Sequence, residues 1–146
     1  MGAVADGLRP GGWLRDSRVP AVASGVLDTV WVVLFVVIGR SSHTEGLRLA
    51  GVARTAWPFL VGLAAGWAVA RAWRSPAALV PTGVTVWPVC VAVGMGLRVA
   101  SGQGVVPAFV GVALAFVGLG LLGWRAIAQL PVLRGSRGRR APEGRT

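Results

Sequence analysis

The sequence of 146 residues contains no Lys, Asn or Tyr, and it has a single His and a single Cys. With only Cys90 present, no disulfide can form within the chain, and the Cys and His spacing of a zinc site is absent. Charged residues make up 14% of the chain, whereas a water-soluble domain carries about a quarter. These absences argue against a disulfide-stapled module, a metal centre and an ordinary soluble domain, and no cofactor is expected.

The net charge of +10 comes from fifteen Arg against three Asp and two Glu, and it raises the question of nucleic-acid binding. The arginines cluster at the ends of apolar segments and in the C-terminal tail, which is typical of membrane proteins. We therefore expect no nucleic-acid partner. Because Lys is absent altogether, the choice of Arg at any one position says little about anion recognition.

Four apolar stretches account for most of the chain, and each is long enough to span a hydrocarbon core of about 30 Å. They cover residues 20–39, 49–72, 77–97 and 105–124, and the fourth can continue to residue 133. The predicted fold class is all-α, a four-helix transmembrane bundle over residues 20–133. Residues 1–19 are predicted to form a disordered arm, and residues 134–146 a disordered Arg-rich cytoplasmic tail near anionic lipid headgroups.

The orientation of the bundle follows from the distribution of arginines between the two sides. If the N-terminus is cytoplasmic, eleven arginines lie on that side, and the outer side holds only Arg40, Arg48, Arg54 and Arg98. The positive-inside rule then favours an N-in, C-in protein of the bacterial cytoplasmic membrane.

One predicted polar constellation, the polar cap, lies on the outer side of the bundle. It consists of Arg40, Ser42, His43, Glu45, Arg98 and Gln103. Ser42 and Glu45 have the spacing of a helix capping box, which is a sufficient structural role for both. The alternative is that His43 and Glu45 form a titrating pair beside the two arginines, able to hold an anion or relay a proton.

The second constellation is a candidate intramembrane ion pair. Asp28 lies about eight residues, or ~12 Å, inside the first span, where a carboxylate is costly unless it is paired or neutral. If the fourth helix continues beyond residue 124, Arg125 reaches a similar depth and is the preferred partner, with Arg71 second. The functional alternative is a protonatable Asp28 in a transport path.

Small residues recur at four-residue spacing in the last three spans, and such stripes predict helix-packing faces in lipid. They are Gly62, Gly66 and Ala70, then Ala92, Gly96 and Ala100, and finally Gly111 and Ala115. Two groups of tryptophans are also predicted: Trp57, Trp73 and Trp124 as interfacial anchors, and Trp31, Trp67 and Trp87 as packing residues.

Several phrases resemble a family of small bacterial four-span membrane proteins filed as a domain of unknown function. They include Arg-x-Ser-His-x-Glu-Gly at residues 40–46, Gly-Met-x-Leu-Arg at residues 94–98, and the segments 54–59, 102–104 and 123–125. The resemblance covers residues 22–126 and implies the four-span topology. It implies no catalytic or ligand-binding residues.

The leading functional hypothesis is a non-enzymatic accessory or assembly component, acting through helix packing and the polar cap. The alternative is a small oligomeric transporter in which Asp28 or His43 carries a proton, and a membrane-embedded enzyme ranks last. Apart from the lipid bilayer, the expected partner is another membrane protein or a second copy. The leading hypothesis predicts a dry, Gly-packed interior. A transporter predicts a water-filled path lined by Asp28, Thr29, Thr82 or Thr85.

Overall fold

The computed structural model describes residues 19–41 and 48–137, and within these ranges the regular structure is entirely helical. The four long helices are α1 (Ala21–Ser41), α2 (Leu49–Ala70), α3 (Val84–Ala100) and α4 (Pro107–Arg137). All four have the length and hydropathy needed to cross a membrane, and the third span (Leu79–Ala100) consists of α3 and the turn that precedes it. The predicted four-helix transmembrane bundle is therefore confirmed, and the chain is a multi-pass membrane protein.

The predicted terminal segments differ in how far the structure describes them. Residues 1–18 of the predicted arm and residues 138–146 of the predicted tail lie outside the described residues. Residues 134–137, expected to belong to the tail, instead form the last turn of α4.

α2 begins at Leu49 with Arg48 as its N-cap residue, and the Arg48 side chain makes no capping hydrogen bond. Ser42 and Glu45, the residues of the predicted capping box, lie outside the described residues. At the other end, Arg71 takes a left-handed conformation with φ of 49°, and its N–H donates to the Ala68 carbonyl at 3.2 Å. This left-handed residue stops the helix and turns the chain towards α3.

The connection from α2 to α3 folds back against the bundle. It contains a 3-10 turn (Ala72–Arg74) and a kinked segment (Leu79–Gly83), extended at Val80, that leads into α3. Pro76, Ala77 and Thr82 are buried, and the Thr82 hydroxyl donates to the Ser75 carbonyl at 2.8 Å. We call residues 75–83 the connecting loop, and the ion pair described below contacts its buried part.

α2 and α3 approach most closely at glycines. A Cβ atom on Gly66 would lie 2.8 Å from the Val86 carbonyl oxygen, and one on Gly94 would lie 2.7 Å from a Phe59 ring carbon. Gly62 is buried against the backbone of Cys90 in the same way. The small-residue stripe of α2 therefore packs against α3, as its spacing predicted.

The other two predicted stripes are not packing faces within the described part of the chain. All five of their residues are exposed: Ala92, Gly96, Ala100, Gly111 and Ala115. A Cβ atom added to Gly96 or Gly111 would meet no described neighbour within 4 Å. α3 instead turns Val86, Cys90 and Gly94 inwards, a second four-residue repeat on another side of the same helix. Because lipid is as apolar as the protein interior, spacing alone does not tell which repeat is buried.

Aromatic rings fill the centre of the bundle and join all the helices except α3. The Phe35 ring centroid lies 5.4 Å from that of Phe59, 5.9 Å from that of Phe109 and 5.7 Å from that of Phe116. Trp31 stacks on Phe116 and donates its indole N–H to the Phe116 carbonyl at 2.9 Å. This cluster separates the two ends of the bundle, which we call the Asp28 end and the Arg98 end.

Candidate functional site

The structure brings Asp28 of α1 and Arg125 of α4 into direct contact. Arg125 Nη2 lies 2.7 Å from Asp28 Oδ2, and Nη1 lies 2.9 Å from Oδ1, so the guanidinium binds the carboxylate with two parallel hydrogen bonds. Both side chains are completely buried. The pair forms because α4 continues past Trp124 as a helix, which places Arg125 at the depth of Asp28. Arg71, the second candidate partner, is exposed.

Two tryptophans complete the hydrogen bonding of the carboxylate. Trp67 Nε1 donates to Asp28 Oδ2 at 2.9 Å, and Trp124 Nε1 donates to Oδ1 at 2.8 Å. The Trp124 ring also lies beneath the guanidinium, with Arg125 Cζ 4.4 Å from the ring centroid. Asp28 thus accepts four hydrogen bonds, and α1, α2 and α4 all meet at its carboxylate.

The remaining donors of Arg125 bind backbone carbonyls. Nε donates to the Pro76 carbonyl of the connecting loop at 3.0 Å, and Nη1 also donates to the Leu121 carbonyl at 2.7 Å. Close by, Gln129 Nε2 donates to the Ala77 carbonyl at 3.3 Å. The ion pair therefore also ties the connection between α2 and α3 to the fourth helix.

This network explains how two charges can remain inside an apolar bundle. Desolvating an ion pair costs several kcal/mol per ion, and the cost is offset only when the geometry is good and the remaining hydrogen-bonding capacity is used. Here each carboxylate oxygen accepts two hydrogen bonds, and each of the three guanidinium nitrogens donates at least one. Such an arrangement fixes the helices relative to one another.

The threonines expected along a transport path do not line one together. Thr29 is exposed on α1, whereas Thr82 is buried and donates to the Ser75 carbonyl. Thr85 is half-buried on α3. The described residues thus place these hydroxyls in three different environments.

At the Arg98 end, the structure places three members of the predicted polar cap. Arg40 ends α1 and donates from Nη1 to the Thr55 hydroxyl at 3.2 Å. Arg98 ends α3 and donates to Gln103 Oε1 at 3.1 Å and to the Gly104 carbonyl at 3.4 Å. The other three members, Ser42, His43 and Glu45, lie outside the described residues.

A cavity of about 320 Å³ lies between these groups. Its polar lining comes from side chains of three helices and of the turn before α4: Arg40, Thr55, Arg98 and Gln103. Phe35 and Phe109 are among its apolar lining residues, and Arg98 Cζ lies 4.7 Å from the centroid of the Phe109 ring. The cavity therefore combines two guanidinium groups with two phenylalanine rings, those of Phe35 and Phe109, which we call the aromatic floor.

Residues 25–128 match the family described as Protein of unknown function (DUF3054). The chain belongs to this family. The family membership implied by the sequence phrases is thus confirmed, and the DUF3054 region includes both the ion pair and the cavity. Neither a curated protein nor a solved structure gives a significant match to the chain.

Within the DUF3054 region, sequence reasoning missed the contribution of Trp67 and Trp124 to the buried ion pair. It also missed Thr55 and Phe109, which contact the two arginines of the cavity. A signal for Trp124 existed, because it adjoins Arg125 and a buried carboxylate needs additional donors. No comparable signal marked Thr55 or Phe109, whose proximity to the arginines depends on how the helices are assembled.

Proposed function

We propose that this DUF3054 protein is a non-enzymatic accessory or assembly component of the bacterial cytoplasmic membrane, with both termini in the cytoplasm. The observation that carries the proposal is a division between interior and surface. The buried charges are fully engaged in structural contacts, whereas two small-residue stripes remain exposed along the spans. A component of this kind acts by presenting a rigid surface to another membrane protein.

The interior supports this function because its buried ion pair holds the helices together. A proton carrier must gain and lose a proton during its cycle, and each Asp28 oxygen already accepts two hydrogen bonds from Arg125, Trp67 and Trp124. Protonating this carboxylate would leave the Arg125 charge buried without a counter-charge, which is strongly unfavourable. The transporter alternative therefore receives no support from Asp28, and His43 lies outside the described residues.

The surface supports it because a bilayer-facing stripe of small residues lets a second helix approach closely. Helix association in lipid depends on such close packing, since lipid tails are as apolar as the side chains. Ala92, Gly96 and Ala100 are exposed along one side of α3, and Gly111 and Ala115 are exposed on α4. The partner we propose is another membrane protein or a second copy, and the basic tail adds attraction to anionic headgroups.

The test is site-specific photo-crosslinking in native membranes. A photoreactive residue is placed at position 96, with position 38 as the control. Ile38 is 45% exposed, and like Gly96 it lies within about one turn of the Arg98 end of its own helix. We expect a discrete protein adduct from position 96 only, identified by mass spectrometry, and we expect Gly96→Leu to abolish co-purification of that protein without reducing the abundance of this chain. Lipid adducts alone, or the same protein adducts from both positions, would contradict the proposal.

A further inference from the structure

We propose that the cavity at the Arg98 end binds an organic anion, a phosphate or carboxylate group that carries an apolar substituent. The site takes the anionic group between Arg40 and Arg98 and the apolar group against the aromatic floor. The evidence for this site is independent of the evidence for the proposed accessory function, because the site is argued from the cavity and its charge and the function from the exposed stripes.

The charge balance at this end of the bundle is strongly positive. Arg40, Arg48, Arg54 and Arg98 lie at this end, and the sequence holds one acidic residue, Glu45, between Asp28 and Glu143. Even if Glu45 offsets one arginine, three positive charges remain. The N-termini of α2 and α4 lie at this end together with the C-termini of α1 and α3, so the helix dipoles largely cancel and the arginines set the charge. An anion therefore gains from the field of the whole end of the bundle.

Arg98 is held in position to contact such an anion. Its Nη atoms are engaged with Gln103 and Gly104, and the guanidinium lies over the Phe109 ring, which fixes its orientation. Among the described residues, its buried Nε has no hydrogen-bond partner. A buried N–H without a partner is costly, and an anionic oxygen in the cavity is a suitable acceptor. What favours binding is the position of this arginine, and not the choice of Arg over Lys.

The apolar lining defines the remainder of the ligand. Phe35, Val36, Val105 and Phe109 contribute to the wall of the cavity, so an inorganic ion alone would leave this surface without contacts. A volume of about 320 Å³ is at the lower end of the range for small-molecule sites and accommodates a short alkyl chain with its anionic group. Because the cavity lies at the ends of the spans, both a soluble anion and a lipid headgroup share the required chemistry.

The experiment measures binding of hexyl phosphate to the full chain in a neutral detergent by isothermal titration calorimetry, with hexan-1-ol as the uncharged control. We expect binding of hexyl phosphate alone, and about tenfold or greater loss of affinity in Arg98→Gln, because a charge-assisted contact is removed. The matched control is Arg54→Gln, which removes the same charge from an exposed position that does not line the cavity. The affinity of Arg54→Gln for hexyl phosphate should stay within about twofold of that of the original chain.

A second variant separates the cavity from the charge. Val105→Phe fills the cavity while keeping every arginine, and we expect it to abolish binding with an unchanged thermal unfolding temperature. Equal loss in Arg98→Gln and Arg54→Gln would show general electrostatic attraction and would overturn the proposal. So would full binding by Val105→Phe.

A lipid arm identifies the source of the anion. The chain is reconstituted in nanodiscs of phosphatidylcholine with or without phosphatidylglycerol, and lipids retained after release are counted by native mass spectrometry. Arg98-dependent retention of phosphatidylglycerol assigns the site to a lipid headgroup. Arg98-dependent binding of hexyl phosphate without such retention assigns it to a soluble anion. Absence of both would refute an anion site.

Discussion

Replacing Asp28 by Asn tests whether the buried ion pair holds the bundle together. The amide has one acceptor oxygen where the carboxylate has two, and its NH₂ group faces donors, so at least two of the four hydrogen bonds are lost. Two charge-assisted bonds at about 1.5–3 kcal/mol each give a loss of roughly 3–6 kcal/mol. In other proteins, removing one partner of a buried ion pair lowers the free energy of unfolding by about 3–5 kcal/mol, so the two estimates agree.

The free energy of unfolding can be measured by SDS titration in mixed micelles, with tryptophan fluorescence as the signal. We expect Asp28→Asn and Arg125→Met each to lose about 3–5 kcal/mol, and Asp28→Leu/Arg125→Met to recover part of the loss, because no unpaired charge remains buried. Recovery is incomplete because the Arg125 bond to the Pro76 carbonyl is also gone. Arg74→Met is the control, since it removes an exposed arginine near the same end. If Asp28→Asn stays within about 1 kcal/mol of the original chain, the structural role assigned to the pair is wrong.

Two further predictions concern helix packing and orientation. Gly66→Ala should reduce the free energy of unfolding by about 1–3 kcal/mol in the same SDS titration, because its methyl group meets the Val86 backbone. Gly96 lies at an open helical position, where alanine is favoured over glycine, so Gly96→Ala should leave the free energy of unfolding unchanged or raise it by up to about 1 kcal/mol. An equal reduction in both variants would contradict the packing. For orientation, cysteines introduced at positions 44 and 146 in a Cys90→Ala background should differ in reaction with a membrane-impermeant maleimide on intact cells, the first reacting and the second not. Labelling at position 146 would overturn the N-in, C-in proposal.

The fold could be predicted from the sequence because each span is a long apolar run bounded by arginines, a pattern that needs no tertiary information. The approach of Arg125 to Asp28 could be predicted for a related reason, since few cations reach the same depth and a buried carboxylate needs one. The role of Trp67 could not be predicted, and the position of Trp124 beside Arg125 was only a partial signal, because tryptophan also serves as an interfacial anchor and its indole N–H can point in several directions. The position of a residue along a helix can be read from the sequence, whereas the direction in which its side chain points around the helix axis cannot.

The same limit explains the errors about the small-residue stripes. α3 carries two repeats of four-residue spacing, one ending at Gly94 and one passing through Gly96, and both satisfy the pattern for close helix contact. Only the first faces α2, because a Cβ atom at Gly94 would enter the Phe59 ring. The choice between them depends on rotation, which is set by bulky side chains on the neighbouring helix. The repeat that passes through Gly96 stays on the surface of the bundle, and the proposed partner contacts it there.

The two ends of the bundle differ in how completely their polar groups are used, and this difference links the two proposals. At the Asp28 end the two buried charges, Asp28 and Arg125, neutralise each other, and their hydrogen bonds fix the helices there. At the Arg98 end the cavity is lined by groups from α1, α2, α3 and α4, so an anion bound there would contact the ends of all four helices at once. Arg98 lies two residues from Gly96 on the same helix. An anion bound to Arg98 would therefore stabilise the end of α3 whose exposed stripe is proposed to meet the partner. Partner recovery in the crosslinking experiment should then depend on Arg98 but not on Arg54.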